Sequence, residues 1–127
     1  MSKTTTLRVI SHAIAVAILF GSCTGAVAHA FLDNATPKVG SVVTTPPKTI
    51  RIQFTQRIEG AFSHIHLFAA GGQEIATGPA AADASDQAVL TAPITGTLAP
   101  GHYEVRWDVL SVDTHHTNGH FPFSYQP

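Results

Sequence analysis

Asp113-Thr114-His115 sets a carboxylate and an imidazole two positions apart near the C-terminal end of a 127-residue chain. At the other end, Ala26-Val27-Ala28 offers small residues at −3 and −1 of a signal-peptidase cut that would leave His29 first. A terminal histidine carries two metal-binding nitrogens, its free α-amine and its ring, close enough to chelate one ion. Amine, imidazole, carboxylate and imidazole form a nitrogen/oxygen donor set suited to Cu(II). His29, Asp113 and His115 are therefore the candidate metal ligands, and the pattern implies an exported copper binder.

Residues 1–28 read as a signal peptide. Lys3 and Arg8 make a positive n-region, and Ala13 to Gly21 is an apolar run too short to span a bilayer. Two other processing outcomes stand beside the cut before His29. Ala28-His29-Ala30 also satisfies the small-x-small rule and would leave Phe31 first. Leu19-Phe20-Gly21-Ser22-Cys23 loosely resembles a lipoprotein cleavage site, with Phe20 where leucine is usual.

A cut after Ala28 leaves residues 29–127, enough for one small domain. Of the seven Lys and Arg, Lys3 and Arg8 lie in the leader; all eight Asp and Glu lie beyond it. A mildly acidic chain with no basic cluster argues against nucleic acid. The one cysteine, Cys23, and the one methionine, Met1, both fall in the leader. The exported part then has no disulfide, thiolate zinc site, blue-copper site or iron–sulfur cluster, and no soft sulfur donor for Cu(I). Cu(II) is the expected ion, with zinc and nickel as weaker competitors.

The elements that must position these residues are short strands. Ile50, Ile52 and Phe54 alternate with polar residues in Thr49–Phe54, and Ile65 and Leu67 alternate with His64 and His66 in Ser63–Phe68. Tyr103, Val105, Trp107 and Val109 do so in His102–Leu110, and Phe121, Phe123 and Tyr125 share a face in Phe121–Tyr125. Pro37 to Gly40, Pro46-Pro47, Gly71-Gly72, Gly78-Pro79 and Pro100-Gly101 punctuate them. No segment after the leader keeps a 3.6-residue period, and Thr77–Gln87 reads as a loop. The expected fold is all-β: a small, single-domain, Ig-like Greek-key sandwich or barrel. Ser111–Phe123 reads as a loop or strand edge. On extended backbone Asp113 and His115 would point one way and His116 the other.

The remaining histidines have plainer readings. His64 and His66 read first as a solvated strand face, with chelation of one ion across that face as the alternative. His102 reads as surface. His116 and His120 lie close enough in sequence to be auxiliary to the D-x-H pair. Trp107, Phe54 and Phe121 read as core.

Two stretches resemble the CopC family of bacterial periplasmic copper-binding proteins. His29-Ala30-Phe31-Leu32, Pro37, Gly40 and Pro46–Ile58 (PPKTIRIQFTQRI) are similar to that family's opening. Residues 98–123 (LAPGHYEVRWDVLSVDTHHTNGHFPF) are similar to its long later signature. The resemblance implies a small Greek-key β-barrel or sandwich. It also implies Cu(II) ligation by the N-terminal His, through amine and ring, and by the Asp and His of D-x-H, here His29, Asp113 and His115. The Met-rich segment that forms the family's Cu(I) site has no counterpart. Three positions depart from the pattern. Thr114 stands where Gly is usual, so a positive φ there is disfavoured and a different loop is expected. His116 stands where Pro often follows, as a competitor for His115, and Phe31 stands where many relatives carry His.

The function expected is therefore a monomeric, non-enzymatic periplasmic carrier or buffer for one Cu(II), in uptake or tolerance, with an inner-membrane copper importer as partner. The rivals are a structural β-sandwich module in which the histidines are incidental and a small copper-dependent oxidative enzyme built on an N-terminal histidine brace. A carboxylate from Asp113 in the coordination sphere and the small size of the domain argue against the enzyme.

Overall fold

A computed structural model describes residues 30–127; the proposed signal peptide and His29 lie outside the described residues. Nine strands form two sheets, and the only helical element among the described residues is a 3-10 turn, Gly60–Phe62. In chain order the strands are β1 Leu32–Thr36, β2 Val42–Val43, β3 Thr49–Phe54, β4 His64–Ala69, β5 Glu74–Ile75, β6 Ala81–Ala82, β7 Val89–Pro93, β8 Gly101–Leu110 and β9 His116–Tyr125. One sheet has the order β1-β3-β7-β6 and the other β2-β9-β8-β4-β5. The chain crosses between the sheets after β1, β2, β3, β5 and β7. This is the all-β Greek-key sandwich expected from the strand periods.

The period-2 runs point inward as the alternation requires. Ile50, Ile52 and Phe54 of β3 meet Ile65 and Leu67 of β4, Tyr103, Val105, Trp107 and Val109 of β8, and Phe121 and Phe123 of β9 in one core. Phe54 packs edge-on to Trp107 at 5.1 Å between ring centres. Trp107 lies opposite Gly119 across the β8–β9 ladder, and a Cβ at 119 would come within 2.5 Å of the indole. A glycine there lets the largest side chain of the core lie against bare backbone.

Two sequence expectations need correction. β9 starts at His116, five residues before the Phe121 run, because full pairing with β8 extends the hairpin from Gly101↔Tyr125 to Leu110↔His116 whatever the hydrophobic pattern. Thr77–Gln87 is not all loop: Ala81 and Ala82 pair with β7 as the sheet edge. β1 and β7 carry no period-2 signal in the sequence, since β1 is short and polar and β7 runs buried without alternation.

Candidate metal centre

The link between β8 and β9 is a tight turn, not extended chain. Ser111 amide donates to the His115 carbonyl at 3.0 Å, and Thr114 amide donates to the Ser111 carbonyl at 2.9 Å. Thr114 closes it with φ of 71°. Intrinsic preference makes a non-glycine residue resist this conformation, and the chain adopts it anyway. A β-branched residue there is an outlier that costs about 1–3 kcal/mol. Flanking contacts hold it in place. Ser111, fully buried, pairs with Ile58, and Val112 amide donates to the Arg57 carbonyl at 3.1 Å. Glu59 amide donates to Leu110 at 2.8 Å, and Ser63 hydroxyl takes the Leu110 amide at 3.1 Å.

This turn brings Asp113 and His115 together on one side, with Asp113 Oδ2 3.3 Å from His115 Nδ1. Metal bonds of about 2.0–2.1 Å at angles of about 90–110° separate two donor atoms by roughly 2.8–3.3 Å. The observed spacing matches that bite. The Ser111 hydroxyl donates to Asp113 Oδ1 and lies 3.1 Å from the His115 carbonyl oxygen, so one buried side chain fixes both arms of the turn. That hydrogen bond, with help from the His115 side chain, holds the Asp113 carboxyl below its usual range. The carboxylate is ionised wherever an imidazole is neutral enough to bind a metal.

His116 enters β9 and turns to the opposite face, with its Nδ1 3.6 Å from Asp108 Oδ1. His120 stands farther along the same face, 3.5 Å from Glu104 Oε2 and opposite Arg106. Neither joins Asp113 and His115. His102 pairs with Ser124 at 2.7 Å. Among the described residues no group of three or more His, Cys, Asp or Glu side chains is placed to hold an ion. Asp113 and His115 are thus two adjacent donors with no third beside them among the described residues.

One contact was not legible in the sequence. The Thr117 hydroxyl donates to the Ala30 carbonyl at 2.7 Å, across 87 residues of chain. Ala30 is fully buried, and Phe31 is fastened through its amide to Thr55 Oγ1 at 3.0 Å and through its carbonyl to the Thr55 amide at 2.8 Å. The residue that directly follows His29 is therefore anchored to β9 two positions from His115. A hydroxyl at the head of a strand carries no signal that it holds a distant segment.

The CopC domain model matches residues 32–126. The chain belongs to the CopC family. It is 38% identical over 97 residues to Protein YobA of Escherichia coli strain K12, covering 76% of this chain and 78% of YobA. It is 25% identical to the copper transport protein CutJ of Bacillus subtilis strain 168, again over 76% of this chain but only 18% of that longer protein. Among solved structures it superposes on CopC from Methylosinus trichosporium OB3b with a TM-score of 0.73 at 31% identity, covering 78% of this chain and 95% of that one. PcoC, a methionine-rich copper resistance protein from Escherichia coli, gives 0.69 at 26% identity over 78% and 100%. Among these CopC-type proteins, this chain differs from a methionine-rich one in having Met1 alone.

Proposed function

We propose that this protein is a periplasmic Cu(II) carrier or buffer. The exported form begins at His29 and binds one copper through the His29 amine and ring, Asp113 and His115. The observation that carries this reading is the Ala30–Thr117 anchor. It ties the residue next to His29 to the strand that starts just past a preset carboxylate–imidazole pair. One peptide unit spans about 3.8 Å, so the missing donors arrive with little further ordering of the chain. Family membership and relatives named for copper transport and copper resistance support copper as the cargo. An inner-membrane importer is the proposed recipient. The match to a small part of CutJ, a longer copper transport protein, is in keeping with that role.

The test is to compare the exported protein with a form that keeps one extra residue before His29. The extension leaves the imidazole and removes the chelating amine. Cu(II) affinity should fall by orders of magnitude, because a preorganised chelate becomes a single ligand. Equal affinities, or an exported protein that starts at Phe31 or at a lipidated Cys23, would overturn the assignment.

A further inference from the structure

The outer face of the five-stranded sheet holds a second pair of imidazoles with its own support. His64 and His66 project from the same side of β4, both exposed, with ring centres 6.4 Å apart. The Nδ1 of His66 lies 2.7 Å from Glu74 Oε1 on the neighbouring strand β5. When that nitrogen carries the proton, the Nε2 lone pair faces outward. A carboxylate behind one ring nitrogen is the arrangement that orients metal-binding histidines and makes the free nitrogen more basic. Both rings line a groove of about 320 Å³ walled on its far side by Thr77, Gly78 and Pro79.

From this geometry we infer that His64 and His66 form a second, weaker binding site for borderline divalent metal ions. Glu74 acts as the outer carboxylate and water completes the coordination. Bonds of about 2.0 Å bring the centres of two adjacent imidazole ligands to roughly 5 Å. Rotation of two exposed side chains supplies that closure with no backbone movement. Asp108, paired opposite His64 in the ladder, adds negative charge beside the site. Arg106, paired opposite His66, places a cation beside it. Its guanidinium is committed elsewhere, 2.6 Å from Glu104 Oε1 and 4.3 Å above the Phe68 ring. Two imidazoles bind Cu(II) ahead of Ni(II) and Zn(II). The site is separate from Asp113 and His115 and does not depend on His29.

The decisive experiment is calorimetric titration of the exported protein with Cu(II), and separately with Zn(II), past the first equivalent. Four proteins are compared: the wild type, His64→Ala with His66→Ala, Glu74→Gln, and Asp113→Ala. The wild type should take up a further, weaker equivalent. The double variant should lose it, Glu74→Gln should weaken it about tenfold, and Asp113→Ala should retain it. Copper should also broaden the His64 and His66 ring resonances selectively at the second equivalent. Absence of a second event, its survival in the double variant, or its loss in Asp113→Ala would each overturn the proposal. Failure of the His29 assignment would instead appear in the first equivalent and leave this test standing. His64 and His66 are exposed, and unchanged circular dichroism of the double variant checks that its fold is intact.

Discussion

The Ser111–His115 turn and the β4 face each offer two donors two positions apart, and they are built in opposite ways. On β4 the spacing is simply the strand period, so His64 and His66 share a face because every second residue does. In the turn the same spacing works through a left-handed Thr114, a buried serine and contacts from residues 57–59. The strand pair is exposed and braced by one neighbour, Glu74. The turn pair is also exposed, but its backbone is held by the buried Ser111 and by residues 57–59, beside the anchored Ala30. A strand yields a donor pair with little preorganisation. A strained turn stores conformational cost in the fold and presents donors already at chelating distance.

The sharpest way to break this comparison is to remove one imidazole from each region. His115→Ala should lower affinity for the first Cu(II) by more than the roughly 10–100-fold that follows loss of an outer-sphere partner. His66→Ala should leave the first Cu(II) unchanged. Equal effects in a competition assay would show that the two regions are not distinct in kind.

Acidity separates them next. A free α-amine and imidazoles take up protons between about pH 8 and 6 in model compounds, and copper must displace those protons. Affinity for the first Cu(II) should drop steeply from about pH 8 to about pH 5, with more than one proton exchanged per copper. Asp113 should contribute nothing to that slope, because its carboxyl is held low by Ser111 and His115. A lowered folded-state value means that Asp113 stabilises the fold above the ordinary carboxylate range and loses this contribution as pH falls through and below about 4. Ser111→Ala should move the Asp113 carboxyl titration upward by NMR; an unmoved titration would remove the serine from the account.

A smaller effect is expected at the anchor. Thr117→Val keeps the shape of the side chain and deletes the bond to the Ala30 carbonyl. It should cost about 1 kcal/mol of stability and weaken the first Cu(II) of the exported form severalfold. The His64–His66 pair should not respond. Unchanged copper affinity would mean that the N-terminal segment is placed without Thr117.

The smallest change concerns strain. Thr114→Gly relieves a left-handed threonine while loosening the unfolded chain, and should raise stability by at most about 1 kcal/mol, a few degrees in melting temperature. Copper affinity should stay within a fewfold. A large fall in affinity would show that the threonine stiffens the turn for binding.

The sandwich follows from the strand periods of the chain. Period-2 runs at Thr49–Phe54, Ser63–Phe68 and His102–Leu110 are dictated by which face must leave water, a local property of each strand. The sequence also leaves only nitrogen and oxygen donors from residue 29 onward, since Cys23 and Met1 are the only sulfur residues and both precede His29. The strands whose limits come from partners were not legible: the early start of β9, the edge strand at Ala81–Ala82 and the buried β7. Thr114 belongs with them. Intrinsic preference opposes a positive φ there, and only the packed surroundings of Ser111 outweigh it. Tertiary structure alone decided that a tight turn, not extended chain, brings Asp113 and His115 to 3.3 Å, that His120 pairs with Glu104 away from them, and that Glu74 backs His66. It alone fastened Ala30 to Thr117. Each of these joins residues through hydrogen bonds whose partners are fixed by the crossing of strands between two sheets, and no local period in the chain encodes that crossing.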